Sequence, residues 1–298
     1  MNLERPEFVR ALMAAAGLVL VVGLIGAFTV DSGDTRLAAD RKTDRSAGET
    51  TITTTGDAGA TTLTTGAAGP TTSAAPPTTK ALSATTAPGT AAVPTPGAAK
   101  APAPGTYTYK IAGTADPSSN GDRDAKVEAL PDQGGAVGRR ETYQDGSGNT
   151  LANEEAWSAD AMRVSSSRIA SPQGTVDCTW QPALLAFQFP LDVGKTWKTD
   201  STCTTTVSGT QVTIHRVATS KVTGKSLDKV GDVSVPTWVI ESTGTTTVRS
   251  AFFNSDVAES AVRHFAADRG LLTYEKATGT TNGRSGDVER TLRNVNPK

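Results

Sequence analysis

The sequence predicts a mainly β protein in three unequal parts: one N-terminal transmembrane helix, a disordered Thr/Ala/Pro-rich linker, and an antiparallel curved sheet or half-barrel. Three observations predict it. A run of twenty uncharged residues stands near the N-terminus. A stretch of sixty residues after it holds almost no core-forming side chain. Beyond residue 105, apolar residues recur with a period of two, the signature of strands with one buried face.

The uncharged run is residues 11–30, ALMAAAGLVLVVGLIGAFTV. At 1.5 Å per residue it spans about 30 Å, the thickness of a bilayer's hydrocarbon core. The rival reading is a cleaved signal peptide, whose apolar region is about 7–15 residues and ends at a small-x-small site. Ala27-Phe28-Thr29 and Val30-Asp31-Ser32 are poor versions of that site, so an uncleaved anchor is expected. No cysteine lies near the N-terminus to carry a lipid. Residues 1–10 then form a short cytoplasmic tail. A bare count of flanking charges opposes this orientation, with Arg5 and Arg10 before the helix and Arg36, Arg41, Lys42 and Arg45 after it. Arg10 abuts the helix, however, while the others begin beyond Asp31 and Asp34, and large domains translocate largely regardless of flanking charge. The expected address is the cell membrane, single-pass, with the C-terminal domain extracytoplasmic.

Residues 31–105 read as the linker. From Ser46 to Gly105, only eight of sixty residues are not Thr, Ala, Gly, Pro or Ser, and eight of the sixteen prolines lie here. Such a chain cannot bury enough apolar surface to offset its conformational entropy. It would act as a spacer, about 45 Å long on average as a flexible coil. Ser/Thr-rich segments with Pro are also O-glycosylation substrates outside the cytoplasm.

Residues 106–298 carry thirteen of the fifteen aromatics and both cysteines. Tyr107, Tyr109 and Ile111 alternate with Thr108, Lys110 and Ala112. Val212 and Ile214 do so with Thr213 and His215, and Leu272 and Tyr274 with Thr273 and Glu275. Asn120-Gly121, Asp145-Gly146, Gly224-Lys225 and Asn282-Gly283 are turn signals between such runs. The Thr- and Val-dense stretch from Ser201 to Thr223 suits a pleated, half-exposed surface. The expectation is eight to eleven antiparallel strands in an open curved sheet, half-barrel or sandwich, with a helical turn over Val257–Val262.

Cys178 and Cys203 are the only cysteines. Outside the cytoplasm an even pair implies a disulfide; inside, two buried thiols. A ring of about 26 residues would stabilise the domain by roughly 3.5 kcal/mol. The spacing gives no CxxC, which argues against redox catalysis.

The segment Phe187-Gln188-Phe189-Pro190-Leu191-Asp192-Val193-Gly194-Lys195-Thr196-Trp197 resembles a recurring pattern of uncharacterised, membrane-anchored extracytoplasmic proteins of actinobacterial type. Val233-Ser234-Val235-Pro236 and Phe265-Ala266-Ala267-Asp268-Arg269-Gly270-Leu271-Leu272 follow in the order of that type. Thr237-Trp238 departs from it, standing where a small residue and glycine are usual. The resemblance covers about a hundred residues. It implies a curved antiparallel half-barrel, similar in architecture to periplasmic lipoprotein carriers and mycobacterial lipid-transfer lipoproteins. Locally, Pro190 ends a strand, Gly194 permits a tight turn, and Trp197 opens the next strand with a large side chain to bury. That makes the segment a sheet corner. The functional alternative sets Phe187, Phe189 and Trp197 in a ligand groove.

Catalytic patterns are missing from the sequence. His215 and His264, the only histidines, read as solvated or packed strand residues, and no Gly-x-Ser-x-Gly elbow occurs in the domain. Glu141, Glu154 and Glu155 lie near Arg139, Arg140 and Arg163, which reads as cross-strand charge pairing on a solvated face rather than a glycosidase pair. Asp116-x-Ser118-x-Asn120-Gly121-x-x-Asp124 resembles a calcium loop, but its closing Glu128 falls one position late and a polar hairpin loop fits better. A net charge of −1 excludes a nucleic-acid binder that works by counterion release. The expected function is therefore non-catalytic, without metal or cofactor: an envelope domain holding a lipid or other apolar ligand, with Phe187, Phe189, Trp197, Phe252 and Phe253 as candidate contacts. The alternative is a structural or interaction protein that meets cell wall or a partner protein.

Overall fold

The computed structural model describes residues 93–298, apart from Asp116, Ser147, Pro172, Gln173, Ser208 and Phe253. The expected tail, membrane helix and most of the linker lie outside the described residues. Within them, no helix is long and apolar enough to cross a membrane.

Twelve strands run in chain order: β1 (Gly105–Gly113), β2 (Gly121–Gln133), β3 (Ala136–Gln144), β4 (Thr150–Trp157), β5 (Ala161–Ser171), β6 (Gly174–Gln188), β7 (Thr196–Val207), β8 (Thr210–Val230), β9 (Val233–Ser250), β10 (Asn254–Ala266), β11 (Leu271–Thr281) and β12 (Arg284–Leu292). Each pairs antiparallel with the next, and β12 returns to β1, with Tyr109 opposite Leu292 and Ile111 opposite Arg290. The sheet is therefore a closed barrel, not the open or half-open sheet expected. The seam that closes it joins the first and last strands, and no local pattern reports a pairing so distant in sequence. The backbone extends this seam past β12, with Arg293 N–H donating to Thr108 O at 2.8 Å and Lys298 N–H to Thr106 O at 3.0 Å. Closure removes both free sheet edges.

Two further expectations are corrected. Val257–Val262 lies in β10, where Val257 faces Thr246 and Val262 faces Glu241. The run looks helical because the inward positions 259 and 263 are charged, which hides the alternation. Gly224 is not a turn; it follows a register shift inside the 21-residue β8. The Asn282-Gly283 signal holds, with φ of 49° and 76°, the left-handed pair that a tight hairpin requires.

The quality of the ladder varies around the barrel. β8 and β9 pair from Val212↔Ser250 to Val230↔Val233. β6 and β7 share a single ladder pair, Gln181↔Thr202. Other bonds hold that seam. Cys178 and Cys203 form the expected disulfide across it, with Cα atoms 5.6 Å apart. Thr199 Oγ1 donates to Leu185 O at 2.6 Å, and Trp197 Nε1 to Ala186 O at 3.2 Å. The corner before β7 forms as read: β6 ends at Gln188, Gly194 has φ 91°, and Trp197 is buried in β7.

The strands, the disulfide and the buried apolar core all fall between Gly105 and Val295. Residues 93–298 thus contain every element needed to fold alone.

Candidate functional site

The barrel interior has two chemically distinct zones. One is an aromatic mouth at the end where β4, β6 and β10 finish and β5, β7 and β11 begin. Phe265, at the end of β10, stacks on Phe187 of β6 with ring centroids 4.4 Å apart. Phe189 and Trp157 lie 6.2 Å and 6.3 Å from the same ring, and Trp197 lies 6.4 Å from Phe187. Met162, Leu271 and Leu272 complete the wall. Of the residues singled out in the sequence, Phe187, Phe189 and Trp197 come together here, all buried. Phe252 does not join them: it is 72% exposed beyond the far end of β9. Phe253 lies outside the described residues. Sequence reasoning missed Trp157 and Phe265, although both sit on the apolar register of their strands.

Below the mouth runs a belt of buried charge. Glu275 of β11 is fully buried and receives two arginines: Arg263 Nε at 2.6 Å and Arg290 Nε at 2.9 Å. Arg216 Nη2 meets Glu259 Oε2 at 3.1 Å. Arg290 also stands over the Tyr109 ring, 5.1 Å from its centroid. On the opposite wall, Arg139 and Glu155 are cross-strand neighbours, as are Glu141 and Asn153. Trp157 Nε1 donates to Glu155 Oε2 at 2.9 Å. Burial, and then the adjacent Glu141 charge, push the Glu155 carboxyl up to about 8. Burial likewise raises Glu141, against the pull of Arg290.

This corrects the reading of these residues as one solvated face. Arg140 and Glu154 do pair on the partly exposed outer surface. Glu141 and Glu155 share the inward register, because residues two apart face the same side. From sequence alone, a charged residue on either face looks the same.

The mouth is not covered by sheet. Residues 93–104, which have no regular secondary structure, lie across it. Pro96 and Pro102 are buried. Lys100 N–H donates to Ala267 O at 2.9 Å, Arg139 Nε to Pro102 O at 2.7 Å, Tyr107 Oη to Ala103 O at 2.9 Å, and Lys225 Nζ to Thr95 Oγ1 at 2.7 Å. The folded unit therefore starts about a dozen residues earlier than composition alone suggests. Under Pro102, a cavity of about 40 Å³ reaches down to Glu141, Glu155 and Arg290. A second, of about 30 Å³, lies between β6 and β8 beside Arg216 and Arg263. Both are on the scale of water molecules, well below the roughly 300 Å³ at which ligand pockets begin.

The histidines sit on the outside. His215 Nε2 is 2.8 Å from Asp200 across β7–β8. His264 Nδ1 lies 2.9 Å from both oxygens of Asp228, which also accepts from Thr273 and Ser226. Burial works to raise the Asp228 carboxyl, but the bonds from His264, Thr273 and Ser226 outweigh it and hold it at about 2. This knot pins the tip of the β8–β9 hairpin onto β10 and β11. Of the calcium-loop candidates, Asp124 lies in β2 and accepts from Thr108 Oγ1 at 2.7 Å, and Asn120 Nδ2 donates to Gly113 O at 3.3 Å. Among the described residues, no group of three or more His, Cys, Asp or Glu is placed to hold a metal ion.

No family model and no curated protein matches the chain. A solved structure does: the crystal structure of the hypothetical lipoprotein YmcC from Escherichia coli (K12). The similarity covers 66% of this chain and 87% of that one, at 9% identity and a TM-score of 0.36.

Proposed function

We propose that this chain is a non-catalytic domain of the cell envelope, anchored by residues 11–30 and held outside the cytoplasm on its linker, which binds a lipid or another apolar ligand at the mouth of the barrel. One observation carries this reading. The aromatic cluster around Phe265, Phe187, Phe189 and Trp157 is roofed by an irregular segment rather than by a strand or helix. An aromatic-lined concavity with a few polar groups at its base is the usual form of a small-molecule site. The buried cystine supports the exported address, since such bonds persist in oxidising compartments.

The test is native mass spectrometry on residues 93–298, exported during expression and purified without detergent. Added mass that leaves on denaturation is the expected result, and it would give the ligand class. A bare polypeptide that also fails to bind an apolar fluorescent probe would overturn the reading.

A second reading has its own support. The two interior cavities described above are of water size. A solid barrel suits a structural or interaction domain that uses its outer face against cell wall or a partner protein.

A further inference from the structure

We propose that the cavity beneath the mouth is a headgroup subsite, in which Arg290 receives the carboxylate or phosphate of a single-chain amphiphile whose tail lies among Trp157, Phe187 and Phe265. This rests on the apolar-ligand reading and names the class of ligand.

The cavity is amphipathic. Its walls carry the rings of Trp157, Phe187 and Phe265, and its floor carries Arg290, Glu141 and Glu155. Arg290 is the residue that points to a ligand. It is only 7% exposed, yet among the described residues its guanidinium makes no hydrogen bond. Its Nε stands 2.9 Å from Glu275 Oε2 as an ion pair, and neither atom is hydrogen-bonded. Its plane of charge rests over the Tyr109 ring instead. A guanidinium carries five donors, and buried polar groups are as a rule bonded. Those of Arg290 are left for an acceptor inside the cavity.

Charge decides what that acceptor is. Glu275 is the carboxylate of both Arg263 and Arg290, so two guanidinium groups share one negative charge. The other acidic groups near Arg290 are Glu141, Glu155, Tyr109 and Tyr143, and burial pushes each of them towards its neutral form. The Glu141 carboxyl also makes no hydrogen bond among the described residues. A carboxyl that keeps its proton donates. The floor therefore presents donors and an unbalanced positive charge. An anionic oxygen headgroup answers both, and the guanidinium fork can hold it by two parallel bonds. An ammonium head would meet the Arg290 charge.

The volume, about 40 Å³, takes headgroup oxygens in place of water but no tail. The roof is Pro102, in the strap formed by residues 93–104. Gly270 lets the strap lie close, since a Cβ there would be 2.3 Å from Lys100 O. The tail would take the place of Pro102 among the rings. The strap has no strand pairing, so this breaks no ladder pair. It costs the bond from Arg139 Nε to Pro102 O, and frees a second guanidinium across the ladder from Glu155.

The test is calorimetric titration of residues 93–298 with dodecanoate, dodecyl phosphate, dodecanol and dodecylammonium, below micelle formation. At least one of the two anions should bind about tenfold more tightly than dodecanol, the worth of one charge-assisted hydrogen bond. The tighter of the two tells a carboxylate from a phosphate headgroup. Arg290→Met should abolish that preference and leave dodecanol binding unchanged, while Arg290→Lys, which keeps the charge without the fork, should retain part of it. The comparison on the parent chain needs no variant, so it decides the matter even where Arg290→Met does not fold. Equal binding of the anions and dodecanol would overturn the headgroup subsite and leave the apolar-ligand reading intact. Tightest binding of dodecylammonium would overturn it too, because the carboxyls rather than Arg290 would then select the ligand. An anion preference that survives Arg290→Met would place the headgroup elsewhere. Binding of none of the four would remove the apolar-ligand reading, and this subsite with it.

Discussion

The mouth and the belt lie within the same barrel and are built on opposite principles. The mouth is held by the stacked rings of Phe265, Phe187, Phe189 and Trp157, of which only the Trp157 indole carries a polar group. The belt is held by Glu275, Glu259 and three arginines, each of which must find a counter-charge because it is buried. The difference teaches where the fold tolerates change. Dispersion and burial degrade gradually as atoms are removed, whereas a buried ion left alone fails abruptly.

The largest effect should come from the belt. Glu275→Ala leaves both Arg263 and Arg290 buried without their carboxylate, and should cost about 5 kcal/mol, the upper end for breaking a buried pair. Replacing all three with apolar residues of similar volume should restore most of that loss. Urea denaturation of the single and triple variants measures both. If the single change cost less than about 1 kcal/mol, water would have to reach the belt and the contrast would collapse.

In the mouth the response should be smaller and graded. Phe265→Ala removes the ring on which three others stack, and should cost about 3 kcal/mol, the low end for a buried phenylalanine. The low end is expected because Phe187 and the strap can settle into the space. Phe265→Leu should lose less than half as much by the same assay. Equal losses for Ala and Leu would mean that ring stacking matters here more than volume.

Glu155 joins the two zones, because Trp157 of the mouth donates to its carboxyl group in the belt. Its carboxyl is raised from 4.5 to about 8, first by burial and then by Glu141. Below pH 4.5 the folded and unfolded chains both hold the proton. Between 4.5 and 8 only the folded chain holds it, so this group's contribution to stability falls as pH rises. Above 8 both states have released it and the decline stops. Glu155→Gln should remove that decline. Its denaturation midpoint should match the parent's dependence at pH 4 and exceed the parent most clearly at pH 8. A parent curve that is flat or rising over this window, with no difference from the variant, would place Glu155 in contact with solvent.

These zones were not equally legible in the sequence. The mouth was partly readable: Phe187, Phe189 and Trp197 stand within eleven residues, around a proline and a glycine that force a corner. Trp157 and Phe265 come from distant strands, and only the closed meander brings them in. The belt was unreadable for a different reason. Alternation distinguishes faces by polarity, and where the inner face carries Glu155, Glu259 or Arg263 the two faces look alike. The same charges in β10 imitated a helical turn. The closing of β12 on β1 was hidden because it joins residues nearly two hundred positions apart. Residues 93–104 read as linker because their composition is linker composition. What seats them is the cleft below Pro102 and the missing side chain at Gly270, neither of which is visible in residues 93–104 themselves.

The smallest expected effect concerns an aromatic residue that belongs to neither zone. Phe252 shares its side-chain type with the mouth, yet it is 72% exposed beyond the end of β9. In the structure, its hairpin end lies about 40 Å along β10 from Phe265, at roughly 3.3 Å per residue. Phe252→Ser should therefore change stability by no more than about 0.5 kcal/mol, as for a surface position, and leave binding of an apolar probe unchanged. Phe265→Ala should weaken the same probe. If Phe252→Ser weakened the probe as much, the apolar site would lie at the opposite end of the barrel, and the mouth would be packing alone. The comparison of these two substitutions separates an aromatic cluster that fills a core from one that meets a ligand, which stability measurements on either residue cannot do.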